Sequence, residues 1–528
     1  MIWGRRGSGV EPPAVGEGEP LGAVRIAVDD AAAGRWEALN HLVEVLLAVD
    51  DAGDEVVARS ALTLVAGVAG LVARLDRHAR QAPWYGPYEE PALRRVGARF
   101  SVATSGPVAM ALASMHGDGR IRERAVAAMV GRPCPEVMPF LVLRTADWVT
   151  PVRDRARAGL ALLLADEPGG YLPAVLPMAL RLDARLRGSF TVTQIRAAML
   201  PAPVEVWRGL LGSGGRRQRR FVFDIGLSQG WLRLPDLVIR AETDSDVGIR
   251  VRAAEAACRE AVWTRRHDVL HRLARSVRAE VRVVALTGLA RVGQDSDVAA
   301  HLDDDAPLIR AVARDAARRL GIDAREHYRT AVGAGEPALG AIVGLAETGS
   351  AADAPLLRPL LTHSQARVRA QAVRGLRLLE AVVAQEVLPL LRDPSPAVVR
   401  EVTTALRPLA GALPPGLPWQ LLGDARVELR RAGYRLLSGN GVDVQLRAAL
   451  MLTIDPDPRL AERGKADVTR LARDGAQTTW RRTPPPELPV TAAQHGELAA
   501  LAARAAAALG EDTSRMLTIW LARTRPCG

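Results

Sequence analysis

The chain has 528 residues, of which 48% are hydrophobic, 24% charged and only 4% aromatic, and its formal net charge is +11. This composition excludes a low-complexity chain, because enough apolar side chains are present to bury a sizeable core. Abundant Ala, Leu and Arg favour an all-α fold, since strand-rich domains carry more aromatic and β-branched side chains.

The positive charge is almost entirely arginine, with Lys465 as the only lysine. A basic chain can bind nucleic acid or an anionic membrane. Here, however, the arginines are spread along the sequence among 59 acidic residues, which is typical of solvated helix faces. A protein partner is therefore favoured over nucleic acid.

The termini and cysteines carry no targeting or disulfide signal. Cys134, Cys258 and Cys527 are odd in number and far apart, which predicts reduced thiols and a cytoplasmic location. Residues 1–20 lack the apolar segment of a secretory signal and are predicted to be a disordered lead. The longest uncharged apolar run, residues 60–72, is shorter than the roughly 20 residues that span a membrane, so no membrane span is predicted.

Residues 21–117 contain long but irregular helical patterns, which predict a divergent helical N-terminal cap. Regularity begins at residue 118. The apolar residues Val152, Ala156, Leu160 and Leu163 are spaced by 4, 4 and 3, and the same stripe recurs from Val281, Ile309 and Val368. This spacing keeps one face of a helix apolar, and the small second residue lets a neighbouring helix approach closely.

An arginine follows the first apolar residue of each stripe, and the successive intervals are close to 30 residues or to multiples of 30. An acidic turn precedes many of these helices, at Asp118, Asp147, Asp246, Asp305, Asp393 and Asp424, and is predicted to cap them. The unit is a helix, a short turn and a second helix, which buries its apolar face only by stacking. We therefore predict a right-handed α-solenoid over residues 118–440, followed by a helical C-terminal cap or small appended module over 441–528. The predicted repeat arginines are Arg122, Arg153, Arg250, Arg282, Arg310, Arg369, Arg400 and Arg430.

The pattern Asp-x-x-Val-Arg-x-x-Ala-x-x-x-Leu, seen in residues 305–317 and, without the acid, in 364–376, resembles the HEAT repeats. The resemblance is particularly to the short bacterial HEAT-like form related to phycobilisome lyase repeats, within the armadillo-like helical superfamily. The resemblance implies that the repeat arginines form a ladder between adjacent repeats. It also implies a concave groove that is open to partners.

No motif predicts catalysis, a metal or a cofactor. The segment Gly-Ser-Gly-Gly at 212–215 lacks the Gly-Lys-Ser/Thr of a phosphate-binding loop, and nothing matches Gly-x-Ser-x-Gly. His267 and His271 have a metal-ligand spacing but no third ligand nearby. The run 303–305 of three aspartates is better explained by Asp305 as a helix cap.

The strongest local charge feature is Arg216, Arg217, Arg219 and Arg220, at a predicted loop-to-helix junction. A solvated turn explains it, but so does contact with a partner or with phosphates, with Trp207 and Trp231 available for stacking. HEAT-like DNA glycosylases are a remote alternative, for which Asp147 and the tryptophans at 148, 207, 231 and 263 are the candidate groups. We predict a non-enzymatic scaffold or adaptor for an unidentified protein, with nucleic-acid binding as the alternative.

Overall fold

The computed structural model describes residues 20–34, 36–81, 95–97, 100–183, 187–476 and 488–524. Every regular element in these ranges is a helix, and successive helices pack as stacked pairs. The fold is thus an all-α solenoid, as the stripe spacing predicted. The chain divides between Asp236 and Leu237 into two compact units, called unit 1 and unit 2 below.

The helices of unit 1 are α1 (Pro20–Ala32), α2 (Trp36–Asp51), α3 (Glu55–Gly67), α4 (Leu71–Gln81), α5 (Pro107–Ala113), α6 (Gly119–Gly131), α7 (Met138–Arg144), α8 (Thr150–Asp166), α9 (Pro168–Leu182), α10 (Ser189–Met199), α11 (Val204–Ser213) and α12 (Arg216–Ser228). A 3-10 turn, Pro135–Val137, precedes α7. Helix α13 (Leu234–Thr243) contains the division between the units.

The helices of unit 2 are α14 (Val247–Trp263), α15 (His267–Ala274), α16 (Ala279–Arg291), α17 (Asp295–Ala299), α18 (Pro307–Arg319), α19 (Ala324–Gly333), α20 (Leu339–Thr348), α21 (Ala354–Leu357), α22 (Ala366–Leu378), α23 (Ala384–Val387), α24 (Pro396–Leu406), α25 (Leu417–Leu422), α26 (Val427–Leu437), α27 (Val442–Thr453), α28 (Pro458–Ala476), α29 (Ala492–Leu509) and α30 (Glu511–Arg523). In several helix pairs the first helix is short and continues directly into a 3-10 helix, as at Arg358–Thr362 and Leu388–Arg392.

The predicted stripes form the buried faces of the longer helices. All four stripe residues from Val152 and all four from Val368 are buried. The copy that begins at Ile309 differs at its end, because α18 stops at Arg319 and Leu320 is 46% exposed at the C-cap. The equivalent C-cap residue of α22, Leu379, is buried, so the last stripe position differs from repeat to repeat.

Small residues at the second stripe position allow close helix packing. Ala313 and Ala372 are fully buried. In the repeat of α26 the position is Gly433, where an added Cβ would lie 2.5 Å from both the Leu422 nitrogen and the Pro418 oxygen of α25. The backbones of α25 and α26 are thus too close for any side chain at this position.

The segments outside the regular array are also helical where they are described. Helices α3 and α4 divide the predicted stretch 54–80, with a bend of 98° between them. Among the described residues no single helix is long and apolar enough to cross a membrane, whereas α3 and α4 reach the required composition only as this bent pair. At the other end, α27 to α30 share an apolar core that includes Leu446, Val468 and Trp520.

Cys134 and Cys258 are buried free thiols, and burial raises the pKa of Cys258 to about 12. Such a thiol stays protonated and is a poor nucleophile. Cys527, the tripeptide Pro484–Pro486 and the predicted lead 1–20, except for Pro20, lie outside the described residues.

Replacing Ala313 or Ala372 by Phe is expected to overpack a helix junction and destabilise the protein by about 1–3 kcal/mol. The measurement is chemical denaturation followed by circular dichroism. Ala311→Phe is the matched control, because Ala311 lies on the same helix as Ala313 but is exposed. Equal unfolding midpoints for Ala313→Phe and Ala311→Phe would contradict the close packing.

Candidate partner-binding groove and the arginine ladder

The repeat arginines form a double contact, shown here for Arg369. Its Nη1 donates to the carbonyl oxygens of His363 and Ser364, at 2.7 and 3.0 Å, in the turn before its own helix. Its Nε and Nη2 donate to both carboxylate oxygens of Asp393 in the next repeat, at 2.7 and 2.9 Å. One guanidinium therefore holds its own turn and the following repeat together.

Six of the predicted ladder arginines donate through Nε and Nη2 to a carboxylate of the following repeat, five of them to both oxygens and Arg250 to Oε1 of Glu280 alone. The pairs are Arg122 with Asp147, Arg250 with Glu280, Arg282 with Asp304, Arg310 with Glu347, Arg369 with Asp393, and Arg430 with Asp455. In all six, Nη1 also donates to the carbonyl six residues earlier. The last acceptor, Asp455, lies beyond residue 440, so the turn geometry continues past the predicted end of the array.

The acceptor carboxylates also shape the turns that carry them. Oδ1 of Asp393 accepts from the Ser395 amide at 2.8 Å, and Asp147, Asp304 and Asp455 accept in the same way from the residue two positions later. Histidine or serine takes this place in other turns, as when His363 accepts from the Gln365 amide at 3.1 Å. The turn residue thus satisfies an amide at the start of the helix while its carbonyl oxygen receives the arginine.

Arg400 does not join the ladder. Its side chain is 62% exposed and pairs with the adjacent Glu401 at 3.4 Å. The cause is a shift of one residue. Each ladder arginine lies six residues after the turn residue whose carbonyl oxygen it binds, whereas Arg400 lies seven residues after Asp393. Val399 occupies the sixth position and is only 1% exposed. The prediction that placed Arg400 in the ladder was wrong because it counted from the apolar stripe and not from the turn.

The predicted ladder residue Arg153 and the predicted helix cap Asp305 make contacts other than those expected from the sequence. Arg153 donates to the carbonyls of its own turn, Asp147 and Trp148, and to Thr150, and residues 184–186 in the next repeat lie outside the described chain. The predicted cap Asp305 is exposed, and its neighbour Asp304 accepts from the Ala306 amide at 2.8 Å instead. The caps predicted at Asp118 and Asp246 accept helix amides.

Asp147 is the centre of a buried ionic cluster in unit 1. Besides the fork from Arg122, it accepts from Nη1 of Arg144 and from Nη2 of Arg80, both at 2.9 Å. Arg144 is fully buried and also pairs with Asp76. Burial alone would raise the pKa of Asp147, but the hydrogen bonds from Arg122 and the charge of Arg144 hold that pKa below its usual value.

The remaining sequence candidates are engaged in ordinary contacts. His267 contacts Gln294 at 3.3 Å, and His271 lies 3.7 Å from Asp297. In the described ranges no cluster of three or more His, Cys, Asp or Glu residues is arranged to hold a metal ion. Trp207 is buried and stacks on Trp231, with ring centroids 5.4 Å apart, which is a core contact.

The basic cluster 216–220 lies in the first turns of α12, which begins at Arg216, so the predicted loop-to-helix junction lies where the sequence indicated. Gly215 begins the helix, and its amide donates to Gln218 Oε1 at 2.7 Å. Arg219 donates to the Leu211 carbonyl at 3.1 Å, whereas Arg216 and Arg217 have exposed side chains. Positive charge at a helix N-terminus is unfavourable, because it meets the positive end of the helix dipole.

Arg216 and Arg217 lie at the edge of a cavity of about 760 Å³ in unit 1, called the unit 1 groove below. The end of α3 and the start of α4 form one wall, and the 3-10 turn, α7 and α9 form another. Arg181 reaches the groove from α9, where an added Cβ on Gly70 would lie 3.0 Å from its Nη1. Gly70 also has a positive φ of 85°, so this corner requires glycine for conformation as well as for space. The residues that line the unit 1 groove include Thr63, Val68, Val72, Glu136, Pro173, Pro177, Met178, Arg181, Arg216 and Arg217.

No protein-family model matches the sequence, and no curated protein matches it. Among solved structures, the chain is similar to Kap95p, in a structure with RanGDP, at 12% identity over 97% of this chain and 78% of that chain, with a TM-score of 0.36. It is also similar to the karyopherin Kap121p bound to the extreme C-terminus of the protein phosphatase Cdc14p, at 12% identity over 86% of this chain and 56% of that chain, with a TM-score of 0.27. The chain thus spans little more than half the length of Kap121p, and this likeness is one of helical fold.

Arg369→Met is expected to destabilise the protein by about 2–3 kcal/mol, because it leaves the Asp393 carboxylate buried without its charged donor. Chemical denaturation measures the change. Arg400→Met is the matched control in the next repeat and is expected to change stability by less than about 0.5 kcal/mol, since Arg400 is exposed. Similar costs for the two variants would refute the ladder's role.

Acid is expected to destabilise the solenoid through the ladder carboxylates. Burial would raise the pKa of Asp393 and of Glu347, but hydrogen bonds from Arg369 and Arg310 keep both pKa values below those of the unfolded chain. Their stabilisation is therefore complete above the unfolded pKa, near pH 4, and is lost as the pH falls through the folded values. We expect the denaturant concentration at the unfolding midpoint, measured from pH 7 to pH 2, to decrease once the pH drops below about 4. The decrease should be steeper for the parent than for Asp393→Asn.

Proposed function

We propose that the chain is a non-enzymatic scaffold or adaptor that binds a protein partner through the unit 1 groove. The observation that supports this most directly is the combination of apolar walls and a basic edge in one cavity of about 760 Å³. Protein interfaces favour such a combination, with arginine at the edge of an apolar contact area.

The chemistry of the groove supports binding over catalysis. Among the described lining residues, Glu136 is the only acid and Thr63 the only hydroxyl, and there is no histidine, cysteine or lysine. A nucleophile paired with a base, or two carboxylates facing each other, would be needed for the common hydrolytic reactions. Asp147, the acid considered for a glycosylase, already accepts from three arginines.

We also propose that the repeats belong to the HEAT-like class. The support is the arginine at a constant position, with its fork onto the next repeat, which recurs six times in the described chain. This arrangement matches what the sequence resemblance implies, and it makes stability a sum of contacts between neighbouring repeats.

Nucleic-acid binding is the second candidate, favoured by the exposed Arg216 and Arg217 and by the net charge of +11. The ladder weakens this alternative, because six of its arginines are committed to carboxylates of the protein itself. Tight binding to a duplex needs several phosphate contacts, and each adds to the salt dependence of the affinity.

The double variant Arg216→Glu, Arg217→Glu is expected to lose the proteins that the parent chain captures from a lysate of its native host, as quantified by mass spectrometry. Arg318→Glu with Arg515→Glu is the matched control, since it reverses two exposed charges on other helices. Capture that is unchanged by the groove variant but reduced by the control would contradict the proposal.

A labelled DNA duplex, titrated with the parent chain at about 50 and 200 mM salt, tests the alternative. We expect weak binding at both concentrations. Tight binding at low salt that falls by about a thousandfold or more would favour the nucleic-acid function instead.

A further inference from the structure

Two prolines in the wall of the unit 1 groove are not required by the fold. Pro173 and Pro177 lie inside α9, one turn apart, and both are exposed and line the groove. Proline inside a helix is strongly unfavourable, because it removes an amide donor and its ring clashes with the preceding turn. The helix persists because its other face, with Leu172, Val175 and Leu176, is fully buried. An exposed position would accept any good helix former, so these prolines point to a role in the groove.

The prolines change what the helix offers to a ligand. Because Pro173 and Pro177 have no N–H, the carbonyl oxygens four residues earlier, on Gly169 and Pro173, lose their usual helical donor. Glu136, in the facing 3-10 turn, also lines the groove, but its Oε2 is buried and does not face a ligand. The wall therefore presents the Pro173 carbonyl oxygen as a hydrogen-bond acceptor next to rigid apolar rings.

The rest of the groove supplies the complementary features. Val68, Ala69 and Pro135 are partly or fully exposed and add apolar surface, and Arg181 and Arg217 have exposed side chains on the lining. An occupant that satisfies all of these groups needs amide donors, apolar side chains and carboxylates. An extended peptide segment carries an available backbone N–H at every residue, whereas a helix uses its own amides internally.

We propose that the unit 1 groove binds an extended segment of its partner that is both acidic and apolar. Its backbone amides donate to the carbonyl oxygen of Pro173, its apolar side chains lie on the proline rings, and its carboxylates pair with Arg181 and Arg217. This inference rests on the proposed function and names the chemistry of the partner segment.

The test is selection of binding peptides from a random twelve-residue display library against the full chain, with and without competing salt. The selected pool should be enriched in Asp and Glu together with Leu, Val, Phe or Pro. A fluorescein-labelled selected peptide is then titrated by anisotropy against the parent and the variants. Pro173→Ala with Pro177→Ala is expected to weaken binding about tenfold, because the Pro173 carbonyl regains its helical donor and both rings are lost, while raising the unfolding midpoint.

Opposite shifts in stability and affinity separate a binding role from a structural one, because a variant that merely damaged the fold would lose both. Pro151→Ala, at the start of α8 and outside the groove, is the control and should leave the affinity unchanged. Arg181→Glu with Arg217→Glu should abolish binding of the acidic peptide.

Three results would overturn the inference: no enrichment of any peptide, a pool without acidic residues, or selected peptides that bind the proline variant as tightly as the parent. Peptides that depend on Arg216 and Arg217 but not on the prolines would refute only this inference and leave the proposed function standing. If neither peptides nor host proteins depend on the groove, both fail.

Discussion

The arginine fork is the contact on which the rest of the solenoid depends, because each guanidinium joins the turn before its own helix to a carboxylate of the next repeat. In Arg369 and its equivalents, one nitrogen holds the carbonyl oxygens of the turn before the helix, and the other two hold a carboxylate of the next repeat. The planar, five-donor shape of arginine makes this possible, and lysine cannot replace it. The distance between neighbouring turns is therefore set by a charged, two-point contact as well as by apolar packing.

This commitment of arginine also changes the meaning of the net charge. A charge of +11 on its own suggests a surface that attracts anions. The structure separates two populations: ladder arginines that face carboxylates of the chain, and arginines such as Arg181 and Arg217 that line a cavity. The binding that we propose rests on the second population, because internal carboxylates already satisfy the first.

The unit 1 groove combines features that each work against stability in isolation. Arginines stand at the N-terminus of α12, where the helix dipole opposes them, and prolines stand inside α9, where they remove helical hydrogen bonds. These unfavourable choices coincide around one cavity, while the buried faces of the same helices follow the regular apolar pattern. Conflict between local preference and global fold is expected where a surface has been shaped for binding.

The sequence by itself determined the all-α class, the apolar stripes and the near-30-residue period, because these depend on side chains three or four positions apart on one helix. It also contains the correct rule for the ladder, an arginine six residues after the turn residue, which excludes Arg400 once the count starts at Asp393. Only the tertiary structure decided which carboxylate each arginine meets, as with Glu347 for Arg310, since that choice depends on how the next repeat packs. It alone placed Thr63, Glu136, Pro173 and Arg217 around one cavity, because residues so far apart in the chain are brought together by stacking, which leaves no periodic trace in the sequence.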